Sequence, residues 1–296
     1  MISTVANEKN IKKTRLPPWF KVRLRVNDRS AKVWNLITSK KLQTVCKSAA
    51  CPNQPDCWSR GTATFLILGD ICTRGCRFCN ISKGIPEGID RDEPNRVASA
   101  VKLLDLKYAV ITSVTRDDLP DGGASLFAKT IRLIHENIPG CQVEVLIPDF
   151  QGSQSSLKTI VDASPDIINH NIETVQSQYA RVRPKADYHR SLELLDRARL
   201  SGAVTKSGLM VGFGENIDEI LTVLRDLSNV ACSILTIGQY LQPGENHLPV
   251  HKYYHPDEFI SLREKAMKMG FKQVITGPLV RSSYHAEQYG TCQNLK

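Results

Sequence analysis

The chain has 296 residues, 41% hydrophobic and 23% charged, the make-up of a globular protein large enough to bury a sizeable core. No stretch approaches the ~20 consecutive apolar residues of a bilayer span, and no apolar signal segment opens the chain, so a cytoplasmic protein without membrane attachment is expected. The net charge of +9 sits at one end: residues 1–40 hold ten Lys or Arg against Glu8 and Asp28, and the remainder is close to neutral.

Residues 1–61 read as an irregular basic leader interrupted by Pro17, Pro18, Pro52 and Pro55, with one short helix expected at 32–42. Such an arm either attracts an acidic surface or is simply solvated. From Thr62 the pattern changes. An apolar, β-rich run at 62–68 is followed by others at 108–114, 143–148, 167–173, 204–213 and 234–241. Between them, helical spacing sets Val97, Val101 and Leu104 on one face, then Phe127, Ile131 and Ile134, then Ile217, Leu221 and Leu224. Pro94, after Asp92 and Glu93, marks a helix start. Six strands alternating with helices imply parallel β/α units, with ligands at the C-terminal strand ends. An open twisted sheet and a closed or partial barrel both satisfy this rhythm. The segment 271–296 does not continue it and reads as an appended tail.

Nine cysteines are present, and six fall between residues 46 and 79. Without a secretory signal, metal ligation is the better reading than disulfides. Cys72, Cys76 and Cys79 follow the first strand, with three and then two residues between them. A short loop turns three such thiolates toward one point, where they hold three irons of a four-iron cubane and leave the fourth open to an exogenous ligand. Zinc prefers four tetrahedral ligands, often two Cys-x2-Cys pairs, and only one such pair occurs here. Cys46, Cys51 and Cys57 form a second set, with four and then five residues between them, in a segment whose Pro52, Asn53, Pro55 and Asp56 favour turns.

The Cys-x3-Cys-x2-Cys spacing, with Phe78 before its last cysteine, resembles the radical S-adenosylmethionine superfamily. The Cys-x4-Cys-x5-Cys set, its neighbours Ala50, Pro52, Asn53 and Trp58, and the run Arg-Ser-Ser-Tyr-His-Ala at 281–286 resemble the lipoyl synthase family within it. The likeness extends from about Trp19 to Tyr289 and includes the segment 111–124. It implies an α/β protein: a partial (β/α)6 TIM-type barrel over 62–270, with an N-terminal cluster-binding extension over 1–61 and a C-terminal tail over 271–296. It also implies two [4Fe-4S] clusters. One, on Cys72, Cys76 and Cys79, binds and reductively cleaves S-adenosylmethionine. The other, auxiliary cluster lies on Cys46, Cys51, Cys57 and Ser283 and is consumed as sulfur donor. Ser283 comes from the resemblance alone, since Arg-Ser-Ser otherwise reads as a polar turn.

The reaction so implied inserts sulfur at C6 and C8 of an octanoyl chain on a lysine of a lipoyl-carrier domain. A flavodoxin- or ferredoxin-class protein is the implied low-potential electron donor, and the protein is expected to be monomeric. Cofactor contacts are expected from Phe78, Gly122, Gly123, Asn171, Glu173 and Arg183. Gly122 and Gly123 also read as a plain turn, and Ala124 stands where related enzymes carry a glutamate. The segment 212–215 either passes the cofactor's adenine or caps a strand. Cys141, Cys232 and Cys292 fit neither triplet, and His170 and His285 are assigned no role. The rivals are another radical enzyme, such as a methylthiotransferase or a biotin-synthase-like protein, whose accessory cysteines are placed differently, and a non-enzymatic iron–sulfur carrier. Nucleic-acid binding is disfavoured because the basic excess is confined to the leader, with few stacking aromatics beyond Trp19, Phe20 and Trp34.

Overall fold

The structure, a computed structural model, describes residues 16–21 and 26–288. Residues 1–15 and 22–25 of the basic arm, and Cys292, lie outside the described residues. The leader is not irregular where it is described. Helix α1 (Asp28–Ser39) begins four residues before the expected 32–42 segment, because Asn27 caps it by accepting from the Ser30 amide at 3.0 Å. Val33 and Ile37 form its buried face. Strand β1 (Gln43–Thr44) and helices α2 (Val45–Ser48) and α3 (Gln54–Ser59) follow, and the Trp34 and Trp58 rings pack with centroids 5.9 Å apart.

The barrel then unrolls as β2 (Thr64–Ile67), a small parallel ribbon of β3 (Ile71–Cys72) and β4 (Ser82–Lys83), α4 (Glu93–Leu103), β5 (Tyr108–Ser113), α5 (Ala124–Asn137), β6 (Gln142–Leu146), α6 (Gln154–Asp162), β7 (Ile167–Asn169), α7 (Tyr179–Val182), α8 (Tyr188–Leu200), β8 (Val204–Val211), α9 (Ile217–Asn229), β9 (Ile234–Gln239), α10 (Pro256–Lys268) and β10 (Gln273–Gly277). The main sheet runs β1-β2-β5-β6-β7-β8-β9-β10, parallel throughout except for β1, which pairs antiparallel with β2. The six expected strands are present in order. The tail departs from expectation: β10 pairs in register with β9, from Gln273 opposite Ile234 to Gly277 opposite Gly238, and continues the parallel rhythm. Its mixed burial as an edge strand is why no apolar run announced it.

Phe127, Ile131 and Ile134 are fully buried, as their spacing requires, and each contributes roughly 1.5–3 kcal/mol of apolar burial. The face expected on α9 is shifted. Asn216 and Glu219 form a capping box that leaves Ile217 44% exposed at the first turn, and Ile220, Val223, Leu224 and Leu227 face the core instead. Beyond β10 the chain turns inward. Ala286 packs with Tyr108, Val110, Ile167, Val204 and Ile234, residues of four separate strands that meet inside the barrel. Nearby, Lys206 Nζ lies 2.9 Å from both oxygens of Glu144, whose carboxylate also accepts from Tyr108 at 2.6 Å and Asn169 at 2.8 Å. No helix among the described residues is long and apolar enough to cross a membrane.

Candidate active site

Cys72 ends β3, and Cys76 and Cys79 follow in the loop to β4. This loop is pinned on several sides. Thr73 donates through its amide and its hydroxyl to the Thr115 carbonyl, both at 3.0 Å, and the Arg77 amide donates to the Val182 carbonyl at 2.9 Å. Beneath it the buried Arg74 guanidinium grips Asp117 at 2.7 and 2.8 Å and Asp149 at 2.5 Å. Burial alone would raise the Asp149 carboxyl, but the hydrogen bond and charge of Arg74 outweigh it and bring the pKa down to about 2.

Cys46 lies in α2 and Cys57 in α3, while Cys51 lies between them after Ala50, whose φ of +48° reverses the chain. The Cys51 amide donates to the Cys46 carbonyl at 3.1 Å. The C-terminal segment is drawn onto this loop. The Asn53 side chain donates to the Leu279 carbonyl at 2.7 Å, Tyr284 donates to Asp56 at 3.3 Å, and Arg60 lies 3.2 Å from both Asp56 and Glu287. Arg60 also contacts His285.

A cavity of about 570 Å³ joins the two regions. Cys46, Cys51, Cys57, Cys72, Cys76 and Cys79 all line it, as do Ser283, Phe78, Asn171, Glu173 and Arg183. Asn171 and Glu173 follow the C-terminal end of β7, and the Asn171 amide donates to the Glu173 carboxylate at 3.1 Å. Arg183 is buried and donates to the carbonyls of Asn171 and Ile172 at 3.1 and 3.2 Å, while its Nε meets no partner. Phe78 packs with Phe213, Met210 and Tyr240 at the wall.

Other expected residues stand elsewhere. Gly122 and Gly123 do not line this cavity. Both have positive φ, and a Cβ on Gly123 would meet Leu68 at 2.2 Å and one on Gly122 would meet Phe150 at 2.8 Å, so they are turn glycines required by packing. The segment 212–215 is a strand cap: the Glu215 carboxylate accepts from the Gly212 and Phe213 amides at 2.6 and 2.9 Å. Cys141 and Cys232 are buried in the core. His170, left without a role by the sequence, lines the cavity with Nε2 unpartnered and Nδ1 2.8 Å from the Ile147 carbonyl. Burial, reinforced by the charge of Arg183, holds its pKa down to about 4, so the ring is neutral at neutral pH. Thr112, Ser113 and Thr115 at the end of β5, together with Arg281 and Ser282, are lining residues that no periodicity marks.

The donor set suits iron–sulfur clusters. Among the described residues, no group of three or more His, Cys, Asp or Glu side chains, the cysteine triplets included, stands close enough together to hold a single metal ion. The thiols instead stand around a shared cavity. Burial raises Cys46 to about 11 and Cys57 and Cys79 to about 12, and it raises Cys76 against the opposing charge of Arg183. Left alone these thiols stay protonated, and only a strongly cationic group converts them to thiolates. Arg183 and His170 both line the cavity, and Arg183 Nε and His170 Nε2 are buried without a hydrogen-bond partner.

The model of the radical SAM superfamily matches residues 66–227. Lipoyl synthase of Roseiflexus sp. (strain RS-1) is 52% identical over 283 residues, covering 95% of this chain and 94% of its own. That of Rubrobacter xylanophilus is 53% identical over 274 residues, covering 92% and 85%. Among solved structures, methylornithine synthase superposes with a TM-score of 0.53 at 13% identity, covering 86% of this chain and 84% of its own, which speaks for the barrel fold alone. The chain belongs to the lipoyl synthase family of the radical S-adenosylmethionine superfamily.

Proposed function

We propose that the cavity holds two [4Fe-4S] clusters and S-adenosylmethionine, and that the chain works as a sulfurtransferase inserting sulfur at C6 and C8 of an octanoyl-lysine on a lipoyl-carrier domain. Cys72, Cys76 and Cys79 hold the first cluster, and Cys46, Cys51, Cys57 and Ser283 hold the auxiliary one. When bound, these groups supply hydrogen abstraction from unactivated carbon and sulfide to replace the hydrogen.

The protein's part is positioning and exclusion of water. Arg183, tethered through one arm, brings a buried positive charge to the cavity wall that would suit the cofactor's carboxylate. Asn171 and Glu173, both lining the cavity, would hold the ribose hydroxyls, and Phe78 would wall the first cluster. The apolar lining from Val110, Leu146 and Met210 suits an acyl chain and keeps water from the radical. Ser283 offers a harder oxygen donor than thiolate, so the iron it holds is the most readily released. In domain terms, 1–61 carries the auxiliary loop, 62–270 the barrel, and 271–296 both the edge strand β10 and the serine ligand.

The electron donor is a flavodoxin- or ferredoxin-class protein, the enzyme works as a monomer in the cytoplasm, and the basic leader steers the acidic carrier domain. The observation that carries the reading is the convergence of both cysteine triplets and Ser283, from opposite ends of the chain, on a single cavity. Anaerobic reconstitution with iron and sulfide counting, followed by mass analysis of an octanoyl-lysyl peptide, tests it. Iron and sulfide for two clusters and a doubly thiolated peptide are expected; metal for one cluster only, or an unmodified peptide, overturns it.

A further inference from the structure

Ser282 is the neighbour of the proposed cluster ligand and points elsewhere. Its hydroxyl donates to Asn171 Oδ1 at 2.8 Å, and the Asn171 amide nitrogen donates onward to Glu173 Oε1 at 3.1 Å. The meeting place is prepared by Gly208 in β8: a Cβ there would stand 2.6 Å from Asn171 Oδ1 and 2.7 Å from Ser282 Oγ. A side-chain amide has two faces that differ only in hydrogen bonding. A hydroxyl donor on one side leaves the oxygen there and turns the NH2 toward the carboxylate. Glu173 itself is held at φ +68°, bridged to Leu209 of β8, so its carboxylate is placed by backbone on one side and by Asn171 on the other. The same Asn171 gives its carbonyl to Arg183. One hydroxyl of the C-terminal segment thus orients the Asn171 amide and, through it, the Glu173 carboxylate, beside the Asn171 backbone carbonyl that holds Arg183.

We propose that Ser282 is a positioning residue that couples seating of the C-terminal segment to S-adenosylmethionine binding, so that the wall formed by Asn171, Glu173 and Arg183 is complete only when the segment carrying Ser283 is docked. This rests on the reading of that wall as the cofactor site. The coupling is reciprocal by linkage: whatever the docked segment adds to cofactor affinity, the bound cofactor adds to docking. The chain thereby assembles the radical site and the sulfur-donor site together.

The test uses the full-length, anaerobically reconstituted protein. Ser282→Ala is expected to raise the S-adenosylmethionine Kd in equilibrium dialysis about fivefold, the effect of losing one ordinary hydrogen bond, with iron content and melting temperature unchanged. Ser282→Thr, which keeps the hydroxyl, is expected to restore the affinity. In the unmodified protein, saturating S-adenosylmethionine is expected to slow tryptic cleavage after Arg281, and Ser282→Ala is expected to lose that protection. An unchanged Kd in Ser282→Ala overturns the inference, as does an equal loss in Ser282→Thr. Cleavage of the unmodified protein that is indifferent to the cofactor overturns it without recourse to any variant. If the unmodified holoprotein fails to bind S-adenosylmethionine at all, the reading of the site has failed, and that is seen before any variant is made.

Discussion

The side chain of Asn53 donates to the backbone carbonyl of Leu279 across 2.7 Å, and this bond ties the auxiliary-cysteine loop to the segment that delivers Ser283. Asn53 is 2% exposed, so its amide has no ready water to turn to if the Leu279 carbonyl, itself half-buried, is lost. Asn53→Ala is expected to cost about 1 kcal/mol, the net worth of one hydrogen bond whose acceptor is half-buried. It is also expected to lower iron retention at the auxiliary site while sparing the site on Cys72, Cys76 and Cys79. Denaturant unfolding and the iron-to-protein ratio after chelator treatment check both halves.

Inside the barrel, Lys206 and Glu144 form an ion pair with side-chain exposures of 2% and 0%. Removing one partner of such a pair strands the other, whereas removing both exchanges two desolvated charges for apolar contact. Lys206→Met is expected to cost about 3–5 kcal/mol, and the double variant Lys206→Met with Glu144→Leu to recover most of it. Urea midpoints of the four members of the cycle decide this. A double variant as unstable as the single one would show that the cluster with Tyr108 and Asn169 stabilises the fold in its own right.

The parts of this molecule that were legible in the sequence are those whose cause is local. The six barrel strands announce themselves by apolar runs, and Phe127, Ile131 and Ile134 by helical spacing, because one buried face imposes one period. The cysteine triplets are equally local, since each set falls within one short stretch of chain. What escaped depends on distant partners. Strand β10 is mixed in burial because only β9 pairs with it. Gly122 and Gly123 read equally as cofactor contacts or as a plain turn, and what requires glycine there is a positive φ beside Phe150 and Leu68, both remote in sequence. Ile217 fits an apolar face by spacing, but the Asn216 cap decides where that face begins. The nearness of Ser283 to the first triplet comes from bonds such as Asn53 to Leu279, and no pattern in the chain encodes it.

Asp149 anchors the first cluster loop through Arg74, and its pKa of about 2 stands below the ordinary 3.8. A carboxylate depressed in the folded state stabilises the fold above its unfolded pKa, and the contribution disappears as pH falls through the folded value. The shift corresponds to roughly 2 kcal/mol, present near neutrality and lost between about pH 4 and pH 2. Thermal melts of the cluster-free protein across that window are expected to show this acid limb, and Asp149→Asn is expected to flatten it. The same variant leaves Arg74 short of one partner and is expected to loosen iron binding at Cys72, Cys76 and Cys79. A melting curve whose acid limb is identical in both proteins would remove Asp149 from this role.

The cysteines divide into two classes that substitution separates. Cys232 is 3% exposed among Leu227, Leu235 and their neighbours, and burial pushes its thiol up to about 12, the behaviour of a small core hydrophobe. Cys232→Ala is expected to cost about 1–2 kcal/mol, from transfer and cavity, and to keep the full complement of iron. Cys79→Ala and Cys57→Ala are each expected to lose the iron of one site and retain the other. Iron and sulfide analysis of the three proteins, with electron paramagnetic resonance of the reduced samples, distinguishes the classes. Full iron in Cys57→Ala would remove it from the auxiliary ligand set.

Ser283 offers the sharpest test of how the sulfur source is built. An alkoxide or hydroxyl oxygen is a hard donor on a soft cluster, so the iron it holds is the easiest to release when a neighbouring sulfide is attacked. Ser283→Cys would complete a set of four thiolates, which suits a stable electron-transfer cluster better than a sacrificial one. The variant is expected to hold auxiliary iron against a chelator longer than the unmodified protein. Its sulfur insertion into an octanoyl-lysyl peptide is expected to fall about tenfold, the effect of roughly 1.4 kcal/mol on the barrier. Reductive cleavage of S-adenosylmethionine should be nearly unchanged, because Cys72, Cys76 and Cys79 lie on a separate loop pinned by Arg74 and Thr73. Sulfur insertion at the unmodified rate, alongside a more tightly held iron, would show that lability of the serine-bound iron has no part in the transfer.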